Sequence, residues 1–335
     1  MLENLSSKSN GTTTTRGRSQ SPANIVLLSI ISMVLLANTL ASAFTMNPMH
    51  TIQQKGMLHL GSTMKSNAEA VLANGEKRER AMLGNVPIIS RTITIAKDMN
   101  VTVWELERPS SLIQEWWSLD ENERESRVGD PFGVVMWPGS IVASKELMKQ
   151  QESVVNATVL VLGAGTGVEA FAAAMLGASK VIATDINPLS LQLLGYGAQR
   201  MEGIGNVVEA VHFDLFSSEP LPPCDILVAA DTLYNEHLAK QVGHRLHEAI
   251  VRSFDVGDSP TKVLVTDSQQ FHGTDFLQEK EMVELNALFQ QGGWKPLQWE
   301  LEKLKNVRGS GVLIDEDQTY DVDVRAIRWG WDDQC

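Results

Sequence analysis

The stretch Thr158-Val-Leu-Val-Leu-Gly-Ala-Gly-Thr-Gly167 decides the fold. Its first five residues form an apolar run of the kind found in a central strand that is buried on both faces. Three glycines follow at alternate positions, where a backbone without side chains can turn sharply and lie close to a ligand. Residues 169–176 then predict a helix, which Gly177 ends. A buried strand, a glycine loop and a helix in this order indicate an α/β fold with a parallel sheet.

The chain after this loop alternates between strand-like and helix-like segments, as in a parallel sheet that carries helices on both faces. Asn187-Pro188 predicts a helix start, with Asn as the cap and Pro at the first helical position. Two late segments predict a closing antiparallel pair of strands. The strands expected after the first one are 180–184, 207–213, 225–230, 262–266, 295–304 and 320–329. Residues 151–335 are therefore predicted to form one Rossmann-like domain with a seven-stranded sheet.

The spacing of the glycines narrows the class of ligand. Gly163, Gly165 and Gly167 follow a G-x-G-x-G pattern, whereas a nicotinamide dinucleotide fingerprint places its third glycine at the position of Val168. The second strand ends in Asp185, where a carboxylate can accept hydrogen bonds from both hydroxyls of a ribose. An acid at this position is found with several ligands that contain adenosine, so it supports this class without distinguishing its members. The glycine spacing is what disfavours a nicotinamide cofactor.

Composition limits the partners and the chemistry. The formal net charge of −13 leaves no positive excess to displace counterions from a nucleic acid backbone, so no nucleic acid partner is expected. A basic protein or a small molecule fits this charge better. The two cysteines, Cys224 and Cys335, have no neighbours with the spacing of zinc ligands, so no metal site is predicted.

With these segments placed, residues 91–331 resemble methyltransferase family 16, a seven-strand group that includes many protein-lysine methyltransferases. Three segments carry the resemblance: Val135-Met-Trp-Pro-Gly139, the glycine loop with Asp185, and Asp231-Thr-Leu-Tyr234. The resemblance implies S-adenosyl-L-methionine as the cofactor. It also implies that the cofactor pocket is formed by Trp137, Gly163, Ala164, Gly165, Thr166, Gly167, Asp185, Ile186, Asp214 and Ala230.

The acid and the phenol of the last segment, Asp231 and Tyr234, are the predicted catalytic residues. Methyltransferases that act on adenine or on a glutamine amide typically show Asn-Pro-Pro-Tyr here, so this motif suits an amine acceptor better. Asp231 is expected to attract an ammonium group, and Tyr234 to orient it or contact the cofactor. Alternatively, Asp231 caps the next helix and Tyr234 packs in the core. Asp214, expected near the adenine amino group, could likewise be a plain loop cap.

One position departs from the family pattern. The family often has an acid two residues before the first glycine, and this chain has Val161 there. One contact to the methionine end of the cofactor is therefore absent from the expected set. The leading hypothesis is methylation of a lysine side chain of a protein. N-methylation of a small metabolite, and cofactor binding without catalysis in an interaction protein, are the alternatives.

The N-terminal region predicts a targeting sequence. A polar, net positive segment (1–24), an apolar run from residue 25 to about residue 40 and Ala41-Ser42-Ala43 together predict a signal peptide over residues 1–43, or an uncleaved signal anchor. Ala41-Ser42-Ala43-Phe44 resembles the ASAF cleavage motif of two-part plastid presequences in algae such as diatoms. Residues 44–67 contain two lysines and no acid, as transit peptides do. We expect delivery to a plastid by the secretory route. The alternative is an endomembrane or secreted protein, anchored through residues 25–43 if that segment is kept.

Two shorter stretches connect this targeting sequence to the domain. Residues 67–80 are polar and helix-permissive, so 44–80 is predicted to be transit peptide and linker. Residues 91–96 and 101–106 alternate polar and apolar side chains, which predicts a β-hairpin. The hairpin is expected to open an N-terminal extension over residues 86–150.

Overall fold

A computed structural model describes residues 68–71, 77–120, 130–256, 260–268, 275–295, 298–308 and 319–331. The predicted signal peptide, the ASAF junction and the transit peptide up to residue 67 lie outside these residues. No helix within the described ranges is long and apolar enough to cross a membrane.

The centre of the molecule is a seven-stranded sheet with the order β10-β11-β9-β8-β5-β6-β7. Five strands are parallel: β5 (Thr158–Leu162), β6 (Lys180–Asp185), β7 (Val208–His212), β8 (Ile226–Ala230) and β9 (Lys262–Asp267). Two antiparallel strands, β10 (Glu300–Arg308) and β11 (Thr319–Trp329), close the sheet at the β9 side. The predicted seven-strand α/β fold is therefore confirmed.

Helices cover both faces of this sheet and bury its central strands. One apolar cluster joins α2 (Pro138–Lys149), α4 (Val168–Met175) and α5 (Pro188–Ala198) to one face. A second cluster joins α6 (Glu236–Val256) and α7 (Lys280–Gln291) to the other face. All five residues of β8 are buried, which explains why its sequence is a continuous apolar run. Two short helices, α1 (Pro109–Ser118) and α3 (Gln151–Val154), and two 3-10 turns, Phe132–Val134 and Asp275–Gln278, complete the described elements.

The N-terminal extension is a four-stranded antiparallel sheet rather than a single hairpin. The predicted hairpin is present as β3 (Val86–Ala96) and β4 (Met99–Leu106). Residues predicted to be a linker instead form β1 (Ala68–Val71) and β2 (Lys77–Leu83). The linker prediction was wrong because the charged residues that make this stretch look solvated lie in strands stabilised by pairing. Arg80, for example, forms an ion pair with Glu107 at 2.7 Å.

The four-stranded sheet shares its core with the seven-stranded sheet. Ile93, Val101 and Val103 belong to the same buried cluster as Val159 of β5 and Phe171 of α4. An apolar face of β3 and β4 is thus covered by the helices and strands of the larger sheet, and the four strands support that side of the molecule.

Candidate cofactor and acceptor site

The glycine loop lies between β5 and α4, at the carboxyl end of β5, with all three glycines at positive φ. The φ angles of Gly163, Gly165 and Gly167 are 64°, 51° and 90°. A Cβ on Gly163 would lie 2.6 Å from Cγ2 of Thr232, and one on Gly165 would lie 3.1 Å from the carbonyl oxygen of Gly133. Side chains are therefore excluded both by conformation and by space, as the sequence indicated.

Asp185 ends β6 beside this loop. Its Oδ2 accepts a hydrogen bond from the amide of Gly165 at 2.9 Å, and its Oδ1 accepts one from the amide of Asn187 at 2.8 Å. Burial raises the pKa of this carboxyl to about 6. Asn187 caps α5 by accepting a hydrogen bond from the amide of Leu189, which confirms the predicted helix start. The carboxylate is thus fixed against the glycine backbone, at the position expected for a ribose contact.

The segment before α2 runs directly across the loop. A Cβ on Gly133 would lie 2.6 Å from Oγ of Ser190, 3.3 Å from Oδ2 of Asp185 and 3.4 Å from Cα of Gly165. The indole N–H of Trp137 donates to the carbonyl oxygen of Phe132 at 2.8 Å, so Trp137 is held by this segment and is half-buried. Sequence reasoning found Trp137 but missed Gly133. The sequence signal for Gly133 is its position four residues before Trp137, in a segment that lies close to the glycine loop.

The extension also fixes this segment. Glu105 of β4 accepts hydrogen bonds from Nε of Arg91 and from the amide of Met136, both at 2.7 Å. Both side chains of the Arg91–Glu105 pair are almost fully buried. Because Met136 precedes Trp137, this buried pair connects the four-stranded sheet to the cover of the candidate pocket.

Asp231 follows β8 and joins two other elements. Its Oδ2 accepts a hydrogen bond from the amide of Gly139, and its Oδ1 accepts one from the amide of Ser268, both at 2.6 Å. The residue is 7% exposed and has a φ of 52°. Burial raises the pKa of its carboxyl to about 6. The alternative interpretation, in which Asp231 caps the following helix, is therefore wrong. Asp231 instead binds the amino end of α2 and the residue after β9.

Tyr234 is half-buried at the edge of the same site rather than packed in the core. Its hydroxyl donates a hydrogen bond to Oδ2 of Asp130, a residue that sequence reasoning missed. Burial raises the pKa of Asp130 and also that of Tyr234, whose phenol the neighbouring carboxylate keeps protonated. The Tyr234 ring lies 5.5 Å, centroid to centroid, from that of Phe132. The cap of α6 is Asn235, whose side chain accepts a hydrogen bond from the amide of His237 at 2.9 Å.

The remaining predicted contacts lie around the same sheet edge. Asp214 is half-buried after β7, and its Oδ1 accepts a hydrogen bond from the amide of Phe216 at 2.8 Å, so it does act as a loop cap. A contact between the other carboxylate oxygen of Asp214 and the adenine amino group stays a prediction. Four others occupy the loop or strand ends: Ala164, Thr166 and Ala230 are buried, and Ile186 is half-buried.

Three buried polar side chains next to the loop have no hydrogen-bond partner among the described residues. They are Glu169 in the first turn of α4, Ser190 in the first turn of α5 and Thr232 after β8. S-adenosylmethionine carries a ribose diol, a carboxylate and two positive charges, on its sulfonium and ammonium groups. Unpaired donors and buried acids around a glycine cradle match that set of groups, so the residues present fit this cofactor. Val161, the position that lacks the usual acid, is fully buried in β5.

Comparison with known proteins agrees with this geometry. Residues 119–256 match a family model described as Lysine methyltransferase, methyltransferase family 16. The electron transfer flavoprotein beta subunit lysine methyltransferase of Homo sapiens is 29% identical over 162 residues, which cover 47% of this chain and 56% of that protein. The Mus musculus protein of the same name is 31% identical over 124 residues, covering 37% and 46%.

A shorter match is the ribosomal protein L11 methyltransferase of Rhodopseudomonas palustris, 44% identical over 75 residues, which cover 22% of this chain and 25% of that protein. The chain spans about half the length of the two flavoprotein-subunit methyltransferases given above. Sheet order, glycine loop and family match agree on one assignment. Residues 119–256 are therefore similar to the family described as Lysine methyltransferase.

Proposed function

We propose that this protein transfers a methyl group from S-adenosylmethionine to the side-chain nitrogen of a lysine in another protein. The observation that carries the proposal is the family match over residues 119–256, because it contains both the glycine loop and the Asp231–Tyr234 segment. The names of the flavoprotein-subunit and ribosomal-protein methyltransferases, which specify protein substrates, support a protein acceptor.

The cofactor end of the site is assigned to the loop and Asp185. The bare backbone of Gly163, Gly165 and Gly167 allows close approach of the ligand, and the Asp185 carboxylate accepts hydrogen bonds from the ribose hydroxyls. When bound, S-adenosylmethionine supplies a methyl group that the sulfonium sulfur has already activated. The protein's main contribution is then to align this methyl group with the attacking nitrogen.

The acceptor end is assigned to the acids and aromatic rings that meet after β8. Asp130 accepts a hydrogen bond from Tyr234, and the ring of Phe132 lies 5.5 Å from that of Tyr234 and 6.3 Å from that of Trp137, centroid to centroid. Asp231 adds a second carboxyl group after β8. Carboxylates attract an alkylammonium group, and aromatic faces stabilise one by cation–π attraction. A lysine side chain fits this combination better than a neutral amide or a hydroxyl does.

The lysine must be neutral before it attacks. The pKa of a free lysine is near 10.4, and nearby carboxylates favour its charged form. We therefore assign the acids to binding and positioning, with the proton lost to water before the site closes. Asp231 positions the site because it fixes the backbone of Gly139 and Ser268 around the acceptor end.

A transfer assay with defined acceptors tests the proposal. The full-length protein is incubated with S-adenosylmethionine labelled on the methyl group, together with electron transfer flavoprotein beta subunit, ribosomal protein L11 or an extract of the source cells. Mass spectrometry then maps the label, and we expect it on lysine. Label confined to small molecules would contradict the protein acceptor. Cofactor binding without transfer to any acceptor in the extract would contradict the enzyme assignment.

A further inference from the structure

Glu169 is the acid of the candidate site whose carboxylate has the fewest hydrogen-bond partners. It is the second residue of α4, its side chain is fully buried, and neither carboxylate oxygen makes a hydrogen bond of normal geometry within the described residues. Burial raises the pKa of this carboxyl to about 7, although its own backbone amide and the hydroxyl of Ser140 lie close enough to favour the charged form. A buried carboxylate with two unpaired oxygens is costly in a folded protein, so it calls for an explanation.

The fold alone does not provide that explanation. A carboxylate in the first turn of a helix gains from the helix dipole, but by less than an unpaired buried carboxylate costs. The other charged groups that influence Glu169 are Asp231 and Asp185, and both raise its pKa further. The two charged groups that act on the Glu169 carboxyl are thus both acids. Such an arrangement suits a ligand that brings positive charge.

The position of Glu169 indicates which part of the ligand it faces. It lies two residues after Gly167, where α4 packs against α2, and near Ser140 in the first turn of α2. Asp185 accepts a hydrogen bond from the amide of Gly165, where the ribose is expected. The methionine end must then extend from the ribose past the loop toward the amino ends of α4 and α2. Val161, where the family pattern has an acid for that end, offers only a buried methyl-bearing side chain.

We propose that the carboxylate of Glu169 binds the ammonium group at the methionine end of S-adenosylmethionine, in place of the acid that is absent at Val161. The same contact forms with S-adenosylhomocysteine, which keeps the ammonium and carboxylate groups but lacks the sulfonium charge. It does not form with 5′-methylthioadenosine, which has no amino acid end.

Calorimetric binding of these ligands to the full-length protein tests the proposal without any acceptor. Glu169→Gln keeps the shape of the side chain and removes its charge. We expect the variant to bind S-adenosylhomocysteine about 10- to 100-fold more weakly, since a buried charge-assisted hydrogen bond is lost. Binding of 5′-methylthioadenosine should change less than about twofold. As the matched control, Ser190→Ala removes a buried hydroxyl at the ribose side and should weaken both ligands by the same factor.

A ligand-side change makes the test independent of how well the variant folds. An S-adenosylhomocysteine analogue with hydrogen in place of the amino group should bind the unaltered protein about 10- to 100-fold more weakly than S-adenosylhomocysteine. It should lose nothing further in Glu169→Gln. Equal binding of the two ligands by the unaltered protein would overturn the proposal, and so would equal weakening of S-adenosylhomocysteine and 5′-methylthioadenosine by Glu169→Gln.

The outcomes also separate this proposal from the proposed function. If the unaltered protein failed to bind S-adenosylhomocysteine, both the Glu169 contact and the cofactor assignment would fall. If binding followed the expected pattern but no lysine were methylated, only the lysine acceptor would fall.

Discussion

At the scale of single residues, the hydroxyl of Tyr234 matters because it donates a hydrogen bond to a half-buried acid. Tyr234→Phe leaves Oδ2 of Asp130 without its phenol donor. We expect a loss of stability of about 1 kcal/mol, the usual net contribution of one hydrogen bond, because this bond is only half-buried. Methyl transfer to the acceptor should fall about 10- to 100-fold, because the acceptor end loses its alignment. Urea unfolding and initial rates with labelled cofactor measure the two effects.

Tyr196→Phe provides the matched control for that change. Tyr196 lies on α5, where its ring packs edge-on against Trp104 with the centroids 4.9 Å apart. Loss of its hydroxyl should leave transfer unchanged, and neither variant should change the affinity for S-adenosylhomocysteine more than about twofold. Full transfer activity in Tyr234→Phe would remove Tyr234 from the acceptor site.

Glu169 also gives the ligand-free protein a characteristic dependence on pH. Its pKa is raised from 4.5 to about 7, so the folded protein holds this proton more tightly than the unfolded chain does. The resulting stability is complete below about pH 4.5 and is lost as the pH rises through 7. Glu169→Gln should therefore reduce the stability difference between about pH 5.5 and about pH 8 by about 2 kcal/mol.

Urea unfolding at the two pH values measures this difference. Asp185 and Asp231 have pKa values of about 6 and titrate in both proteins, so the comparison reports Glu169 together with its electrostatic coupling to these two acids. The same pH dependence in the variant as in the unaltered protein would show that Glu169 is not a buried acid with a raised pKa.

At the scale of elements, a side chain in the glycine loop would meet two obstacles, an unfavourable backbone conformation and a steric clash. A glycine elsewhere in the chain that has only the first obstacle distinguishes their effects. Gly165→Ala places a methyl group 3.1 Å from the carbonyl oxygen of Gly133 at a φ of 51°. We expect it to reduce stability by about 1 kcal/mol or more and to weaken S-adenosylhomocysteine binding at least about 10-fold. Calorimetry and urea unfolding measure both quantities.

Gly203 is the comparison for this change, because it has a φ of 77° and no atom within 4 Å of its would-be Cβ. Gly203→Ala should show a similar loss of stability, about 1 kcal/mol, with unchanged ligand affinity. If Gly165→Ala bound the ligand as well as Gly203→Ala did, the loop would not be the place where the ligand approaches the backbone.

The elements differ in how well their sequence predicts them. The central strands β5 and β8 are apolar and buried on both faces, so their sequence alone predicted their place. Strand β2 is charged, and its pairing with β3 is a tertiary interaction that no local pattern encodes. The same holds for the Asp130–Tyr234 contact, which joins residues 104 positions apart. Glu169 was missed because a carboxyl group after a glycine loop looks like an ordinary first-turn acid.

At the scale of the whole molecule, the sheet order brings the separate motifs to one edge. Because β5, β6 and β8 are parallel neighbours, their carboxyl ends place the glycine loop, Asp185 and Asp231 side by side. The four-stranded sheet adds the Glu105 contact that holds the segment with Trp137. The site therefore depends on both sheets, although the family match begins only at residue 119.

The N-terminal address is the remaining feature at this scale, and we propose that it delivers the protein to a plastid by the secretory route. Cleavage after Ala43 would leave Phe44 as the first residue of a transit peptide. Phe44→Ala in the full-length protein, tagged with a fluorescent protein at its C-terminus, should move the fluorescence from the plastid to the secretory pathway. Thr45→Ala, one residue further on, should leave import unchanged.

Plastid import of the Phe44 variant at the normal level would contradict the proposed plastid targeting sequence. Retention of the unaltered protein in the endomembranes would instead favour an uncleaved anchor, since residues 25–43 would then have stayed in the membrane.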